Sequence, residues 1–237
     1  MKVKALITAA GLGKRFGALT RRTNKALLRV KGKPLIHHIV SRLRGEGIRD
    51  VVVVVGYQGA ALRHSLGNGV RTVLNPFYRV SGILGSFWAA RDELDGRAFV
   101  FTTSDHFFRR GVLRGILRAE GDVRIVVQKK PRYTKEDAKV IISGSRIVRI
   151  GKDIPLEEAD GEFGGMTYFS PKASRLFFEE TERMFEDGGL HGYMMEVLAA
   201  LAARHGLPIR YSLCGEDSRI EVDSVHDLIA ARRMAKK

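Results

Sequence analysis

The stretch VKALITAAGLGKRFG at residues 3–17 decides the fold. Its first eight residues form a short apolar run, and the glycine-rich loop GLGKRFG follows directly. Beyond the loop, the segment PLIHHIVSRLR places Leu35, Ile39 and Leu43 at four-residue intervals, which is the spacing of one face of an amphipathic helix. The order of strand, glycine loop and helix is typical of the first unit of an α/β protein.

The same alternation continues along the first half of the chain. The run VVVVVG at 51–56 is β-branched and predicts a parallel strand that is buried on both faces. Strands that alternate with helices predict right-handed βαβ units in a mainly parallel sheet. The other predicted strands are RTVL at 71–74, AFVFTT at 98–103 and VRIVVQ at 123–128, and the predicted helices are 59–66, 82–94 and 111–119.

The pattern changes between about residue 129 and residue 170. The segment KVIISGSRIVRIG predicts two short strands around Gly144 and Ser145, and the Gly-rich segment FGGMTYFS follows. We interpret this region as a small β-rich excursion from the α/β core. The rest of the chain predicts helices at 173–186, 191–205 and 224–236 and a late strand at 208–213.

The positive charge of the chain is concentrated at its beginning. The 237 residues carry 41 Lys and Arg against 26 Asp and Glu, a net charge of +15. No acidic residue precedes Glu46, and the 12 basic residues before it give residues 1–45 a charge of +12. This distribution favours one anion-binding segment and disfavours a uniformly basic nucleic-acid coat.

The composition narrows the class of protein further. A hydrophobic content of 44% with 28% charged residues is ordinary for a globular protein and excludes disorder for most of the chain. The apolar runs are too short for a membrane span or a secretory signal, so we expect a soluble cytoplasmic protein. The single Cys214 excludes an internal disulfide and a cysteine-based metal site.

The glycine loop does not match the common nucleotide-binding motifs. A GxGxxG dinucleotide motif fails because Phe16 stands at the third position, and the acidic residue that would hold the ribose is missing. No GxxxxGK[ST] motif is present either.

What remains in the loop is a set of phosphate-binding groups. Gly11 and Gly13 allow backbone N–H groups to approach a phosphate, Lys14 and Arg15 lie in the same loop, and Lys25 follows ten residues later. The alternative interpretation, a plain strand-to-helix turn with surface cations, stays open on this motif alone.

Two carboxylates are candidates for metal ligation. Asp105 follows a predicted buried strand and therefore lies on the carboxyl edge of the sheet, where open α/β folds bind ligands. Asp223 belongs to the segment Glu221-Val222-Asp223, directly before Ser224. Each is also a plausible helix-start residue, but together they offer the hard oxygen ligands that Mg²⁺ prefers.

These motifs resemble those of the nucleotidyltransferases that join a nucleoside triphosphate to a sugar or alcohol phosphate. AAGLGKRFG followed by NKALLRVKGKPLI resembles the family signature, although Lys14 and Ala26 depart from the commoner Thr and Pro. SDHFF resembles the aspartate motif that binds metal, and EVDS resembles the C-terminal one. EDAKVIISGSRIVRIGKDI at 136–154 resembles the inositol-1-phosphate cytidylyltransferases. The resemblance covers nearly the whole chain.

The resemblance implies a fold and a division of the chain. The fold is a Rossmann-like three-layer α/β/α arrangement with a mixed, mainly parallel sheet. We expect a single domain over residues 1–237, in which about 1–128 bind the nucleotide and about 129–237 bind the acceptor.

The resemblance also implies a role for each candidate residue. Arg15 and Lys25 would hold the triphosphate, Lys139 and Lys152 would reach the acceptor phosphate, and Asp105 and Asp223 would hold Mg²⁺. The nucleotide would contact the loop and its surroundings through Ala9, Ala10, Gly11, Gly13, Lys14, Gly56 and Ser86.

The implied reaction is transfer of a cytidylyl group from CTP to inositol 1-phosphate, which gives CDP-inositol and pyrophosphate. Phosphocholine and a sugar 1-phosphate are the alternative acceptors. Because known relatives are often fused to a membrane-bound transferase, we expect a separate CDP-alcohol transferase to use the product. A non-enzymatic RNA-binding module is the alternative of another class, but Phe16 is the single Phe, Tyr or Trp among the basic residues of 1–45, whereas such a module would need several aromatic residues interleaved with them, and it leaves the carboxylates unexplained.

Overall fold

The computed structural model describes residues 2–13, 16 and 23–235, and the elements below are those of the described residues. The strands are β1 Lys4–Ala9, β2 Arg29–Val30, β3 Lys33–Pro34, β4 Val51–Val55, β5 Arg71–Leu74, β6 Phe99–Thr103, β7 His106–Phe108, β8 Val123–Gln128, β9 Lys139–Ser143, β10 Arg146–Gly151, β11 Gly161–Phe169, β12 Ile209–Cys214 and β13 Arg219–Glu221. The α-helices are α1 Leu35–Gly45, α2 Gly59–Leu66, α3 Ile83–Ala89, α4 Arg91–Leu94, α5 Val112–Arg118, α6 Pro171–Glu186, α7 Met194–His205 and α8 Val225–Met234.

One sheet of nine strands runs through the molecule in the order β5-β4-β1-β6-β11-β8-β12-β10-β9. Strand β1 pairs in parallel with β4 and β6, and β12 pairs in parallel with β8. Strand β11 is antiparallel to both β6 and β8. The five valines of β4 are almost completely buried, as a strand covered on both faces requires. The prediction of a mixed sheet is confirmed, but parallel pairing does not dominate it, because four of its described strand pairings are parallel and five are antiparallel.

Helices cover both faces of this sheet. On one face, α3, α6 and α7 pack over a group of aromatic rings, in which Phe87 lies 4.6 Å from Phe101 and 4.8 Å from Phe177 between ring centroids. On the other face, α1, α2 and α5 cover the alternate residues of β1 and β4. Each fully buried phenylalanine contributes about 1.5–3 kcal/mol of transfer free energy. The three-layer architecture is therefore confirmed.

The predicted β-rich excursion contains β9, β10 and β11. Strands β9 and β10 form the expected hairpin around Gly144, whose φ is +58°. The Gly-rich segment becomes β11, a nine-residue strand in the middle of the main sheet that also pairs with β9. The excursion is thus joined to the core by hydrogen bonds along β11.

Several short elements gather at the carboxyl ends of β1 and β6. The pairs β2–β3 and β7–β13 form two small antiparallel sheets. Helix α8 packs there through Leu228 and Ala231 against Val30 and Leu35. In the described part of the chain, no helix is both long and apolar enough to cross a bilayer.

Candidate active site

A cavity of about 440 Å³ opens at this edge of the sheet, and we call it the first cavity. It lies where β1 and β6 end, and the two strands are in register there, with Thr8 opposite Thr103. Its described lining residues include Thr8, Ala9, Ala10, Gly11, Gly13, Asn24, Lys25, Asn75, Tyr78, Ser86, Thr103, Asp105, Glu221 and Asp223.

Asn24 fixes the segment that carries Lys25. Its side-chain amide donates hydrogen bonds to the carbonyl oxygens of Ala9, at 2.9 Å, and Tyr57, at 2.8 Å. Its Oδ1 accepts from the Ala26 N–H at 2.8 Å and so caps the short 3₁₀ turn that begins at Lys25. One buried amide therefore ties this turn to the ends of two neighbouring strands.

The Lys25 ammonium lies between the carboxylates of Asp105 and Asp223. Its Nζ is 2.9 Å from Asp105 Oδ2, and it also donates to Asp223 Oδ1. Burial would lower the pKa of Lys25, but the two carboxylates outweigh burial and raise it. Burial would likewise raise the pKa of Asp105, and the Lys25 charge outweighs that effect and lowers it. Asp105 and Lys25 are therefore both charged at neutral pH.

Strand pairing brings the C-terminal carboxylates to Asp105. Strands β7 and β13 place His106 opposite Glu221, and the Val222 N–H donates to the Asp105 carbonyl at 2.9 Å. The Thr103 hydroxyl donates to the Asp105 carboxylate and orients it. Residues that are more than a hundred positions apart in the chain thus meet at one point.

Glu221 and His106 lie next to Asp105. One ligand atom each from Asp105, His106 and Glu221 lie within 4.8 Å of one another. Burial would raise the pKa of Glu221, but the His106 ring and the Arg219 guanidinium outweigh burial and hold it below its ordinary value. Gly165 makes room for the ring, because a Cβ at that position would overlap His106.

The carboxylates fit a divalent metal of the Mg²⁺ type. Their oxygens are hard ligands, and the two aspartates already share one cation, the Lys25 ammonium. Asp105 and Asp223 are the residues that would hold the ion, with Glu221 beside them. His106 was not among our expected metal ligands, and its side chain is buried against Thr103, whose hydroxyl lies 3.1 Å from Nδ1.

Most of the expected nucleotide-binding residues in the described part of the chain also line the first cavity. Ala9, Ala10, Gly11, Gly13 and Ser86 all line it. Gly56 supports the wall from behind, because a Cβ there would lie 2.7 Å from Tyr78 Cβ and 2.8 Å from the Ala10 carbonyl oxygen.

Sequence reasoning missed Tyr78 and Asn75 in this wall. The buried Asn75 amide donates to the hydroxyls of Ser81, at 3.2 Å, and Ser86, at 3.3 Å, and its Oδ1 accepts from the Phe77 N–H. The available signal was the Asn-Pro pair at 75–76, which marks a turn directly after a strand.

The remaining expected residues are Lys14, Arg15, Lys139 and Lys152. Lys14 and Arg15 lie outside the described residues. Lys139 is fully buried, and its ammonium donates to the carbonyl oxygens of Asp137, at 3.1 Å, and Lys152, at 2.7 Å. These carbonyl oxygens satisfy the Lys139 ammonium in this structure, and its contact with an acceptor phosphate stays a prediction. Lys152 lies outside the first cavity, with its ammonium 3.5 Å from Glu136.

Comparison with known proteins shows the family to which the chain belongs. The family description "MobA-like NTP transferase domain" matches residues 5–205. The chain is 38% identical over 182 residues to the "Bifunctional IPC transferase and DIPP synthase" of Rubrobacter xylanophilus, a match that covers 73% of this chain and 40% of that protein. It is 36% identical over 110 residues to the choline-phosphate cytidylyltransferase of Streptococcus pneumoniae, covering 45% of this chain and 47% of that protein. The matches span less than half of either relative's length.

The fold has solved counterparts as well. The structure of the inositol-1-phosphate CTP transferase from T. maritima superimposes with a TM-score of 0.80 at 21% identity, covering 99% of this chain and 97% of that one. That likeness supports the Rossmann-like α/β fold, and the family match covers most of the chain. The chain therefore belongs to the MobA-like NTP transferases, a family of nucleotidyltransferases.

Proposed function

We propose that the protein is a Mg²⁺-dependent cytidylyltransferase that transfers a cytidylyl group from CTP to a phosphorylated alcohol, with inositol 1-phosphate as the first candidate acceptor. The observation that carries the proposal is the position of Lys25 between Asp105 and Asp223 in a cavity that Gly11 and Gly13 also line. This arrangement supports a site in which glycine N–H groups and a lysine bind phosphate and two carboxylates bind a metal ion.

The names of the relatives support the choice of CTP. One relative is named as a choline-phosphate cytidylyltransferase and one solved counterpart as an inositol-1-phosphate CTP transferase. The segment 136–154, which resembles the inositol-1-phosphate enzymes, favours inositol 1-phosphate over phosphocholine and a sugar 1-phosphate.

The chemistry needs no general base. An acceptor phosphate oxygen attacks the α-phosphorus of CTP, the bond to the β-phosphate breaks, and pyrophosphate leaves with the electron pair. A phosphomonoester is largely a dianion at neutral pH because its second pKa is about 6. The site must instead hold two polyanions together and stabilise the charge that moves onto the leaving group.

The residues divide this work between them. Backbone N–H groups of Gly11 and Gly13 face the phosphates, and Lys25 holds the triphosphate within the cavity together with Arg15. Asp105 and Asp223 would hold Mg²⁺, which would stabilise the negative charge that develops on the leaving group. The backbone of Ala9 and Ala10 and the groups near Gly56 and Ser86 surround the base, and Lys14 adds positive charge to the loop.

The proposal extends to the organisation of the chain. Residues of about 1–128 bind the nucleotide and about 129–237 bind the acceptor within one domain, although Asp223 reaches the nucleotide side. The single cysteine is consistent with a cytoplasmic setting. A CDP-alcohol transferase activity would consume the product.

The test is pyrophosphate release from purified protein with Mg²⁺, each of the four nucleoside triphosphates and a panel of acceptors. We expect turnover with CTP and inositol 1-phosphate, and loss of turnover on chelation of the metal. Asp105→Asn and Asp223→Asn should each lower turnover by at least about a hundredfold. Asp92→Asn, which changes an exposed aspartate on α4, is the matched control. Absence of pyrophosphate with every acceptor would contradict the proposal.

A further inference from the structure

A second cavity of about 600 Å³ adjoins the first, and its role is not yet assigned. Glu221 and Asp223 line both cavities, so the two spaces meet beside Asp223, one of the two carboxylates that would hold the metal. The charged side chains that also line the second cavity include Lys130, Arg132, Arg219, Asp137, Glu162 and Glu216.

Arg219 is the most unusual of these residues. Its side chain is 3% exposed, its Nε donates to Gln128 Oε1 at 3.1 Å, and its Nη2 lies 3.2 Å from Glu162 Oε2. Its Nη1 is buried and has no hydrogen-bond partner among the described residues, although Glu221 Oε2 lies 4.0 Å away. A buried guanidinium nitrogen without a partner is costly, which suggests that a ligand supplies the missing acceptor.

The reaction geometry explains why a ligand would bind at this position. The attacking oxygen must approach the α-phosphorus to about 3–3.5 Å, so the acceptor phosphate has to enter next to Asp223. The second cavity provides that approach, because it shares Asp223 and Glu221 with the first. An arginine whose Nε and Nη2 are already fixed presents its remaining donor in a defined direction to a phosphate oxygen.

The lining of the second cavity also indicates the chemical class of the acceptor. It contains groups of both signs, and the hydroxyl groups of a ligand can both donate to its carboxylates and accept from Arg132. None of the described lining residues is aromatic, so the cavity lacks the cage that a trimethylammonium group prefers. Two aromatic residues that could build such a cage lie outside this cavity: Trp88 packs against Phe185, and Tyr168 packs against Arg124.

We propose that the second cavity is the acceptor site, that Arg219 Nη1 binds the acceptor phosphate, and that the acceptor body is a polyol. This inference rests on the proposed function and specifies its second substrate. It replaces Lys139 with Arg219 as the buried cation that serves the acceptor.

The test separates acceptor binding from nucleotide binding by steady-state kinetics. Arg219→Lys keeps the charge but removes the planar fork, so the KM for inositol 1-phosphate should rise about tenfold while the KM for CTP stays unchanged. Arg132→Gln changes an exposed residue that lines the second cavity, and it should raise the KM for inositol 1-phosphate by a smaller factor. Arg63→Lys and Arg63→Gln, on the exposed face of α2, are the matched controls and should change neither constant.

The outcomes test the location of the acceptor site, the chemical class of the acceptor and the proposed function. If Arg219→Lys and Arg132→Gln fold, as judged by melting temperature, and leave the acceptor KM unchanged, the acceptor site lies elsewhere. If Arg219→Lys does not fold, an unchanged acceptor KM in Arg132→Gln is enough to show that the acceptor site lies elsewhere. Faster turnover of phosphocholine than of inositol 1-phosphate or glucose 1-phosphate overturns the polyol class. A wild-type protein that releases no pyrophosphate from CTP with any acceptor contradicts the proposed function itself.

Discussion

The buried side chain of Asn24 holds three backbone segments of the site together. Its side chain makes three hydrogen bonds to backbone groups and is 1% exposed. We expect Asn24→Ala to lower the free energy of unfolding by about 1–3 kcal/mol, because it leaves buried carbonyl oxygens without donors. Chemical denaturation measures this change, and Asn68→Ala, at an exposed asparagine, is the control. Equal stabilities of the two variants would show that the bonds of Asn24 contribute little.

Gly165 permits a second comparison at the scale of one residue. Its φ is +66°, and Gly144 has a similar φ of +58° with no atom within 4 Å of an added Cβ. Both Gly→Ala substitutions therefore cost about 1–2 kcal/mol of backbone strain. Gly165→Ala additionally overlaps His106, so its melting temperature should fall further than that of Gly144→Ala. Equal losses would mean that the His106 ring moves away freely.

At the scale of elements, Glu180 joins α6 to α7. Its carboxylate is 1% exposed and lies 2.7 Å from His205 Nε2 and 3.1 Å from Arg204 Nη1. Glu180→Gln should destabilise the fold by about 1–3 kcal/mol, since it weakens charge-assisted hydrogen bonds between two helices. Urea unfolding measures the loss, and Glu179→Gln, at the exposed neighbouring position, should change the midpoint little. A loss of the same size in both variants would contradict the linking role.

Glu93 links α4 to β1 and β5 and makes stability depend on pH. It accepts hydrogen bonds from Arg71 and Lys4, which lower its pKa to about 2. A carboxylate with a depressed pKa in the folded state stabilises the protein above its unfolded pKa of about 4.5, and the contribution is lost as the pH falls toward about 2. Glu93→Gln should therefore be less stable than wild type at about pH 7, and the difference in melting temperature should shrink below about pH 4.5. A difference that stays constant with pH would exclude this linkage.

The bounds of several elements could be predicted from the sequence because the pattern that sets them is local. The helix at 59–66 and the strands at 71–74 and 123–128 have the predicted bounds, because their periodicity is local. The predicted helix 82–94 instead breaks at Ala90, where the chain turns between α3 and α4.

The residues of the candidate site could likewise be predicted only where the signal is local in the sequence. Asp105 was identified because it follows a buried strand, a local signal. The pairing of His106 with Glu221 and the unpartnered nitrogen of Arg219 depend on contacts between distant parts of the chain, which no local pattern records. The burial of Lys139 could not be predicted for the same reason, since its carbonyl partners belong to a folded loop and a neighbouring strand end.

At the scale of the whole molecule, the charge of the first 45 residues is only partly used by the site. Lys25 is paired with carboxylates in the first cavity, whereas Arg29, Lys31 and Lys33 are exposed on the β2–β3 hairpin. Lys31 adopts a φ of +47°, so a charged residue occupies a hairpin turn where asparagine or glycine is preferred. Exposed cations near a site for a polyanion raise its local concentration and its rate of association.

We therefore expect the association of CTP to depend strongly on salt. The kcat/KM for CTP should fall about tenfold between about 20 mM and about 300 mM NaCl, because the screening length shortens over this range. Cytidine carries no charge, so its dissociation constant should change little, and CMP should lie between the two ligands. Lys31→Asn combined with Lys33→Gln should flatten the salt dependence for CTP without changing kcat, since neither residue lines the first cavity. If cytidine and CTP respond equally to salt, or if the double variant keeps the full dependence, the hairpin cations do not steer the nucleotide.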